Sequence, residues 1–185
     1  MPLNQPEKGN FLIARPSIFG DFTFNRSVIL LADHSEDGSV GFIINKSLDF
    51  NLSDIFPDII HRNFHIFNGG PVEQDKLFFI HSIPEKIPGS IKIVRDIYWG
   101  GDFDTVKELL RKDEIAENEI KFFLGYAGWQ VHQLENELNS ASWAMLDNKK
   151  REIFEDNTGL WKEKMKELGG EYLIWSNAPE NPSYN

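Results

Sequence analysis

Cysteine is absent from the 185-residue chain. Its absence excludes thiol nucleophiles, disulfide frameworks, thiolate zinc sites and iron–sulfur clusters. A chain of this length buries roughly 70% of its unfolded surface, so its core is large enough to fold without disulfides or metals. A protein without cysteine also fits a reducing compartment, and we expect it to be cytoplasmic.

Long hydrophobic runs are also missing. The longest extends from Val28 to Ala32, whereas a membrane-spanning helix needs about 20 apolar residues. The segment from Met1 to Lys8 has neither the basic start nor the apolar run of a secretory signal. We therefore expect a soluble protein that does not associate with membranes.

Basic residues are scarce: 19 Lys and Arg stand against 29 Asp and Glu, and the formal net charge is −10. Binding to nucleic acids depends on Lys and Arg that displace counterions. The only basic triplet, Lys149 to Arg151, is followed directly by Glu152, which is typical of a solvated surface of mixed charge. The sequence predicts that the protein does not bind duplex DNA directly.

Short apolar segments bounded by Gly and Pro predict strands, and apolar residues at helical spacing predict helices. Predicted strands are 11–15, 27–32, 40–44, 64–67, 77–81, 91–94, 120–124 and 143–146; predicted helices are 52–56, 102–112, 131–141 and 160–168. The turn residues Glu36 to Ser39 make the second and third strands a hairpin. Because strands come early and helices late, we expect an α+β fold with a mixed, largely antiparallel sheet flanked by helices. We place a single domain at 9–178, between a flexible N-terminus (1–8) and a frayed tail (179–185).

Six groups of motifs lie in order along most of the chain: Gly9–Ala14 with Pro16; Phe24–Val28 leading to His34; Gly41–Asn45; Asn68–Val72 with His81; Gly100–Asp102; and Gly125–Trp129 followed by Gln133–Glu135, Glu137–Leu138 and Trp143. In this combination the sequence resembles the YqgE/AlgH family of bacterial proteins. The resemblance implies a compact α/β domain whose bent sheet wraps into a partial barrel. It brings the label of transcriptional regulator, but no catalytic residues, cofactor or ligand. The family usually has a glycine between the positions of Trp129 and Gln133, where this chain has Gln130-Val131-His132.

Two glycine-rich segments are candidate anion sites. The N–H groups of Asn68 to Pro71 could cradle an anion, but no Gly-Lys-Ser/Thr follows, and we favour a tight turn. Gly100-Gly101 precedes a helix start, which is a potential phosphate site. There Asp102 and Asp104 already satisfy the N–H groups that a phosphate would use, so we expect no phosphate.

Histidines provide the candidate metal ligands. His34 and His81, with Asp33, could form a metal or acid–base centre, but hydrogen bonds of strand-end histidines to the backbone are the favoured interpretation. His61 and His65 have the i, i+4 spacing of helical zinc ligands, yet the glutamate of that motif is absent. We expect neither a metal nor a cofactor.

The remaining polar candidates have structural interpretations. Gln133, Glu135 and Glu137 are interpreted as a solvated helix face, with Gln133 and Glu137 on the same side. Arg26 lies among apolar residues, where an arginine pairs with a carboxylate or caps carbonyl groups. Binding of an acidic ligand by Arg26 is the alternative.

The leading hypothesis is a non-catalytic binding or regulatory protein that acts through a protein partner or a small ligand. It is favoured because no catalytic set is assembled and because five Trp and 15 Phe exceed what a minimal core needs. One alternative is a transcriptional regulator that binds DNA directly. Another is an enzyme with a cleft around Arg26, Asn45, His81 and Trp129.

The candidate binding surface is formed by turns. We expect the hairpin, the Gly69-Gly70 turn and the turn at Gly128-Trp129 to converge in space. Trp129 would offer an apolar wall with one N–H donor to a ligand or partner. Arg26, Asn45 and His81 complete the set of candidate binding residues.

Overall fold

The computed structural model describes residues 5–18, 21–58, 62–155 and 157–180. These residues form ten strands, six α-helices and a short 3-10 helix (Pro16–Ile18). The strands are β1 (Phe11–Ala14), β2 (Val28–Ser35), β3 (Gly38–Ile43), β4 (Ser47–Asn51), β5 (His65–Asn68), β6 (Val72–His81), β7 (Ile91–Val94), β8 (Ile97–Trp99), β9 (Ile120–Trp129) and β10 (Trp143–Leu146). The helices are α1 (Leu52–Ile55), α2 (Phe103–Arg111), α3 (Gln133–Asn139), α4 (Lys150–Phe154), α5 (Leu160–Leu168) and α6 (Tyr172–Ser176).

One bent, open sheet contains all ten strands. Its order is β10-β1-β2-β3-β9-β6-β8-β7, and β4 joins through β5, which pairs with β9. Only the pairing of β5 with β9 is parallel. The predicted fold, α+β with a mixed and largely antiparallel sheet, is therefore confirmed.

The bend brings the two ends of the sheet close together. Gly9 lies two residues before β1 and packs so tightly against Val94, the last residue of β7, that a Cβ on Gly9 would collide with it. Lys150, just after β10, forms an ion pair with Asp96, just after β7. Strands β7 and β10 do not pair with each other in the described part of the chain, so the sheet wraps without closing into a barrel.

Strand β9 lies at the centre of the sheet and is buried on both faces. Phe122 belongs to the apolar cluster that includes Val106 and Leu110 of α2. Its neighbour Phe123 points into the larger cluster, where its ring centroid lies 5.0 Å from that of Phe42. A strand buried on both faces has a continuous apolar run instead of alternation, which explains the run from Phe122 to Leu124.

The hairpin and the main helices lie where the sequence predicts them. The loop between β2 and β3 contains two residues, with Ser35 opposite Gly38. Asp102 caps α2, since its carboxylate accepts the Thr105 N–H at 3.1 Å, in line with the expectation that acidic residues occupy the first turn. No helix among the described residues is long and apolar enough to cross a bilayer.

The largest correction concerns β9. The sequence analysis ends this strand at Leu124 and places a turn at Gly128-Trp129, whereas the strand continues to Trp129. Pairing with β3 at Ala127 to Trp129 supplies the hydrogen bonds that keep the segment extended. Strand propensity disfavours glycine, but this tertiary pairing outweighs the propensity.

Four further elements, β4, β8, α4 and α6, are absent from the sequence-based prediction, as is the short 3-10 helix. Strand β4 contains Asp and Asn, which are rare in strands, and β8 is only three residues long. Helix α4 begins within the basic triplet that was interpreted as solvated surface, yet Ile153 in this helix is fully buried. The domain boundaries at 9–178 stay a prediction.

Candidate functional site

The connection between β5 and β6 crosses the face of β9. Strands β5 and β6 both pair with Phe122 to Leu124, so they must lie on opposite sides of β9. The crossing segment is Gly69 to Pro71. A Cβ on Gly70 would collide with the backbone of Tyr126, and the Gly70 φ of 150° disfavours any other residue.

The crossing also occupies the N–H groups of the predicted glycine turn. The Gly69 N–H donates to the Leu124 carbonyl at 2.9 Å, and the Gly70 N–H donates to the Asn68 side chain at 3.1 Å. An anion would have to displace both hydrogen bonds. The Gly69-Gly70 pair therefore allows close backbone packing and has no free N–H cradle to offer.

A surface groove of about 600 Å³ lies beside this crossing, between the tip of the β2–β3 hairpin and the end of β9. One row across three strands forms part of it, since Asp33 is opposite Val40 and Val40 is opposite Gly128. We call it the hairpin groove, and its lining residues are Asp33, Ser35, Asp37, Gly38, Ser39, Val40, Val72, Tyr126, Gly128, Trp129, Gln130 and Gln133. A Cβ on Gly128 would meet no atom closer than 3.4 Å, so the groove is open at this glycine.

Trp129 lies at the end of the groove, but its side chain is packed on the opposite face of β9 from Gly128. Only 6% of the residue is exposed, and its Nε1 donates to Glu137 Oε2 at 2.9 Å. The same oxygen accepts the Trp143 Nε1 at 2.8 Å, while Gln133 donates to Oε1 at 2.8 Å. Glu137, interpreted from the sequence as part of a solvated face, is therefore the acceptor that joins two indoles and an amide.

The hairpin tip is tied to α3 through a histidine. His34 lies opposite Ser39 in the hairpin register, and its Nδ1 is 2.8 Å from the Ser39 hydroxyl. Its Nε2 is 3.7 Å from Glu135 Oε1. A two-residue hairpin loop dictates that these residues are opposite each other, so the pair could have been found from the sequence.

The predicted metal ligands do not assemble in the described ranges of the chain, where no group of three His, Asp or Glu could hold an ion. Asp33 pairs with Lys8 at 3.1 Å, and His34 pairs with Ser39 and Glu135. His61 lies outside the described residues, so its pairing with His65 is not described.

Arg26 and Asn45 form one structural neighbourhood. Arg26 donates to the carbonyls of Ala178 and Pro179 at 2.7 and 2.8 Å, and its guanidinium lies 4.8 Å from the Trp161 ring centroid. The Asn45 side chain accepts the Val28 N–H at 2.8 Å and donates to the Arg26 carbonyl at 2.9 Å. These contacts hold the chain before β2 against the C-terminal segment.

His81 lies at the other end of β9. It is opposite Ile120, and Trp129 is nine residues further along the strand, about 30 Å for an extended chain. His81 is fully buried, with Nε2 3.1 Å from the Gly100 carbonyl and Nδ1 accepting the Ile83 N–H at 3.3 Å. Burial lowers its pKa, although the Gly100 hydrogen bond acts in the opposite direction. The structure thus brings Arg26 and Asn45 together but leaves His81 far from Trp129 along β9.

A second cavity, of about 380 Å³, contains a residue that the sequence analysis does not single out. Lys121 lines this cavity and is 4% exposed. Its Nζ donates to the Ile153 carbonyl at 3.0 Å and lies 3.8 Å from the Phe67 ring centroid. These contacts connect β9 to α4 and β5, and no sequence pattern indicates them because they join distant segments.

The profile of the AlgH-like family matches residues 11–173. The chain belongs to the AlgH-like family. A UPF0301 protein from Bacteroides thetaiotaomicron is 38% identical over 182 residues, covering 97% of this chain and 92% of the relative. A UPF0301 protein from Cytophaga hutchinsonii is 38% identical and covers 96% and 98% of the two chains.

Solved structures share the AlgH-like fold. The solution structure of the AlgH protein from Pseudomonas aeruginosa has a TM-score of 0.73 at 26% identity and covers 97% of this chain and 98% of that one. A crystal structure of a protein from Corynebacterium diphtheriae has a TM-score of 0.80 at 19% identity, covering 96% and 95%. The predicted family is confirmed, and the names of these relatives state no activity.

The one departure from the family pattern has a conformational explanation. His132 lies between Trp129 and Gln133, where the resemblance implies a glycine, and its φ is 61°. This left-handed conformation is the one that glycine adopts most readily. In the turn before α3 a histidine therefore occupies a backbone conformation that favours glycine.

Proposed function

We propose that this AlgH-like protein is a binding protein that takes a protein partner in the hairpin groove. The observation that supports the proposal most directly is the open position at Gly128 on a strand whose next residue, Trp129, is fixed in the core beneath the groove. A preorganised site loses little conformational entropy when it binds, so rigid walls favour affinity.

The architecture of the groove also supports binding by a rigid surface. The strand end beside the groove is held by the Glu137 carboxylate, which joins Trp129 to Trp143 of β10. The hairpin tip on the other side is tied to α3 through His34 and Glu135. A surface formed by strands and anchored loops is typical of binding sites.

Direct DNA binding is less well supported than a protein partner. Within the described part of the chain, the residues that line the groove include two aspartates and neither Lys nor Arg. Such a surface repels phosphates, and the net charge of −10 adds to the repulsion.

The enzyme alternative has no shared cleft among its four candidate residues. Arg26, Asn45 and His81 are engaged in the hydrogen bonds described above, and none of them lines the hairpin groove. We therefore favour binding over catalysis for the groove.

Nuclear magnetic resonance of the isotope-labelled protein tests the proposal. The probes are a set of small-molecule fragments and a set of blocked hexapeptides that vary in charge and hydrophobicity. We expect peptides to shift the amide resonances of Val40, Tyr126 and Gly128. The proposal is wrong if no probe shifts them or if only fragments that bind elsewhere are found.

Gly128→Leu serves as the blocking variant. A side chain fits at this position without a backbone clash, so the variant should fold and lose the peptide-induced shifts. Ile91→Trp, which enlarges a half-exposed side chain on β7, is the matched control and should keep them. Equal binding by both variants would place the site outside the groove.

A further inference from the structure

We infer that the group recognised in the hairpin groove is a cationic side chain, Lys or Arg, carried by an extended segment of the protein partner. The inference rests on the proposed function of the groove and specifies the chemistry of its occupant. Three features lead to it: the charge of the groove, the aromatic ring beside the open glycine, and the apolar residues around them.

The charge of the groove is negative. Asp33 and Asp37 line it, and none of its lining residues in the described part of the chain is basic. Lys8 lies 3.1 Å from Asp33, but both side chains are about two-fifths exposed (41% and 42%), so water weakens this pair. Asp37 makes no ion pair with any described residue. A partner cation therefore finds one unneutralised carboxylate and one weakly paired carboxylate.

An aromatic ring and a gap lie on the same face of the sheet. Tyr126 is partly buried, and its ring is held edge-on against Phe78 with centroids 5.5 Å apart. Gly128, two residues further along β9, has no side chain to fill the space next to this ring. A guanidinium or ammonium group in that space can contact the ring on the face of the sheet that Asp33 shares with Val40 and Gly128.

The remaining lining residues favour a polypeptide over a free amine. Val40 and Val72 add apolar surface to the groove, and a lone ammonium ion would leave that surface in water. An extended segment that alternates basic and apolar residues can cover the valines while its basic side chains reach the aspartates. The groove of about 600 Å³ is large enough for several side chains.

Three blocked hexapeptides test the inference by calorimetry at low and high salt. The first alternates Arg with Val, the second alternates citrulline with Val, and the third alternates Glu with Val. Citrulline has the shape of arginine without its charge. We expect the Arg peptide to bind about tenfold more tightly than the citrulline peptide, since an exposed ion pair and a cation–π contact each contribute a few-fold.

Matched variants separate the groove from the general acidity of the protein. Asp37→Asn and Asp49→Asn change the net charge equally, but only Asp37 lines the groove. Asp37→Asn should lower the affinity for the Arg peptide by about fivefold. Asp49→Asn should leave this affinity nearly unchanged, and Gly128→Leu should abolish binding. Equal weakening by the two Asn variants would indicate non-specific attraction and overturn the inference.

The other outcomes distinguish this inference from the proposed function. The Arg and citrulline peptides could bind equally well and both be blocked by Gly128→Leu. This outcome would overturn recognition of a cationic side chain and leave the groove as a binding site. If free arginine amide binds as tightly as the Arg peptide, the inference that a polypeptide segment carries the cation is wrong. No binding by any of the three peptides also overturns the inference, while the resonance screen still decides the function of the groove.

Discussion

Two glycines of β9 lie three residues apart and have opposite surroundings. At Gly125 the carbonyl oxygens of Gly70 and Val72 lie 2.5 and 2.9 Å from where a Cβ would stand, and φ is 72°. At Gly128 the nearest atom is 3.4 Å away, and φ is not positive. One short glycine motif thus serves backbone packing at one end and leaves the surface of the groove open at the other. Sequence cannot tell these two uses of glycine apart, but substitutions can.

The largest effect is expected at the backbone crossing. Gly70→Ala should lower the free energy of unfolding by about 4 kcal/mol or more, because a strained φ and an overpacked contact each contribute 1–3 kcal/mol. Urea denaturation followed by circular dichroism measures the change. Because the Gly70 carbonyl is the nearest neighbour of a Cβ on Gly125, a loss below about 1 kcal/mol would mean that the backbone contact around Gly70 and Gly125 can relax and that the comparison of Gly125 with Gly128 fails.

Loss of the Glu137 hydrogen bonds to Trp129 and Trp143 should have an intermediate effect on the free energy of unfolding. Glu137→Gln replaces one carboxylate oxygen with an NH2 group, which then faces either the indole N–H groups or the Gln133 amide. We expect a loss of about 2 kcal/mol in the free energy of unfolding, as for a buried donor left without an acceptor. Glu135→Gln, on the same helix, is the control and should cost less than about 1 kcal/mol.

At the far end of β9, His81 should make the free energy of unfolding depend on pH. The pKa of His81 is lowered from 6.5 by burial, so the unfolded chain binds the proton more readily than the folded chain. The free energy of unfolding should therefore fall as the pH drops below about 6.5, by at most about 1.4 kcal/mol per pH unit. The free energy of unfolding stops falling once the pH is below the lowered pKa of His81 in the folded protein.

A titration of the His81 ring resonances checks this directly, since its midpoint should lie below that of the same residue in the urea-unfolded chain. His81→Gln should reduce the acid loss of stability relative to the parent protein. A His81 midpoint at or above the unfolded value would contradict the buried, neutral ring.

The smallest effect is expected at the groove. Gly128→Ala should change the free energy of unfolding by less than about 0.5 kcal/mol, because the added methyl group makes only ordinary van der Waals contacts, at 3.4 Å with the Tyr126 ring and 3.8 Å with the Val72 side chain. The same denaturation experiment, run beside Gly70→Ala, measures it. A loss as large as that of Gly70→Ala would show that both ends of the motif are packing positions.

Much of the local structure could be predicted from the sequence. The hairpin follows from a two-residue loop between apolar runs, and α5 begins at Leu160 and ends at Leu168, as its apolar spacing and Gly169 predict. The Asp102 cap of α2 is also predictable. These features depend on residues close together in the chain, where propensity and periodicity operate.

The candidate site was only partly predictable. The segments from the hairpin, the Gly69-Gly70 pair and Gly128-Trp129 were named together, and the structure places Gly70 against Tyr126 and Ser39 opposite Trp129. The roles within the site were not predictable. Trp129 is bound to Glu137 instead of projecting from a turn, and the groove depends on Gly128 and the two aspartates.

The sequence by itself determined the α+β class, the family, the hairpin and the presence of α1, α2, α3 and α5, because each depends on short-range patterns or on motifs in order. Only the tertiary structure decided where β9 ends and which glycine is indispensable. It also decided that Glu137 joins Trp129 to Trp143. The reason is physical: Gly70 meets Tyr126 across more than fifty residues of chain, and no local pattern records which distant backbone will occupy the space beside a glycine.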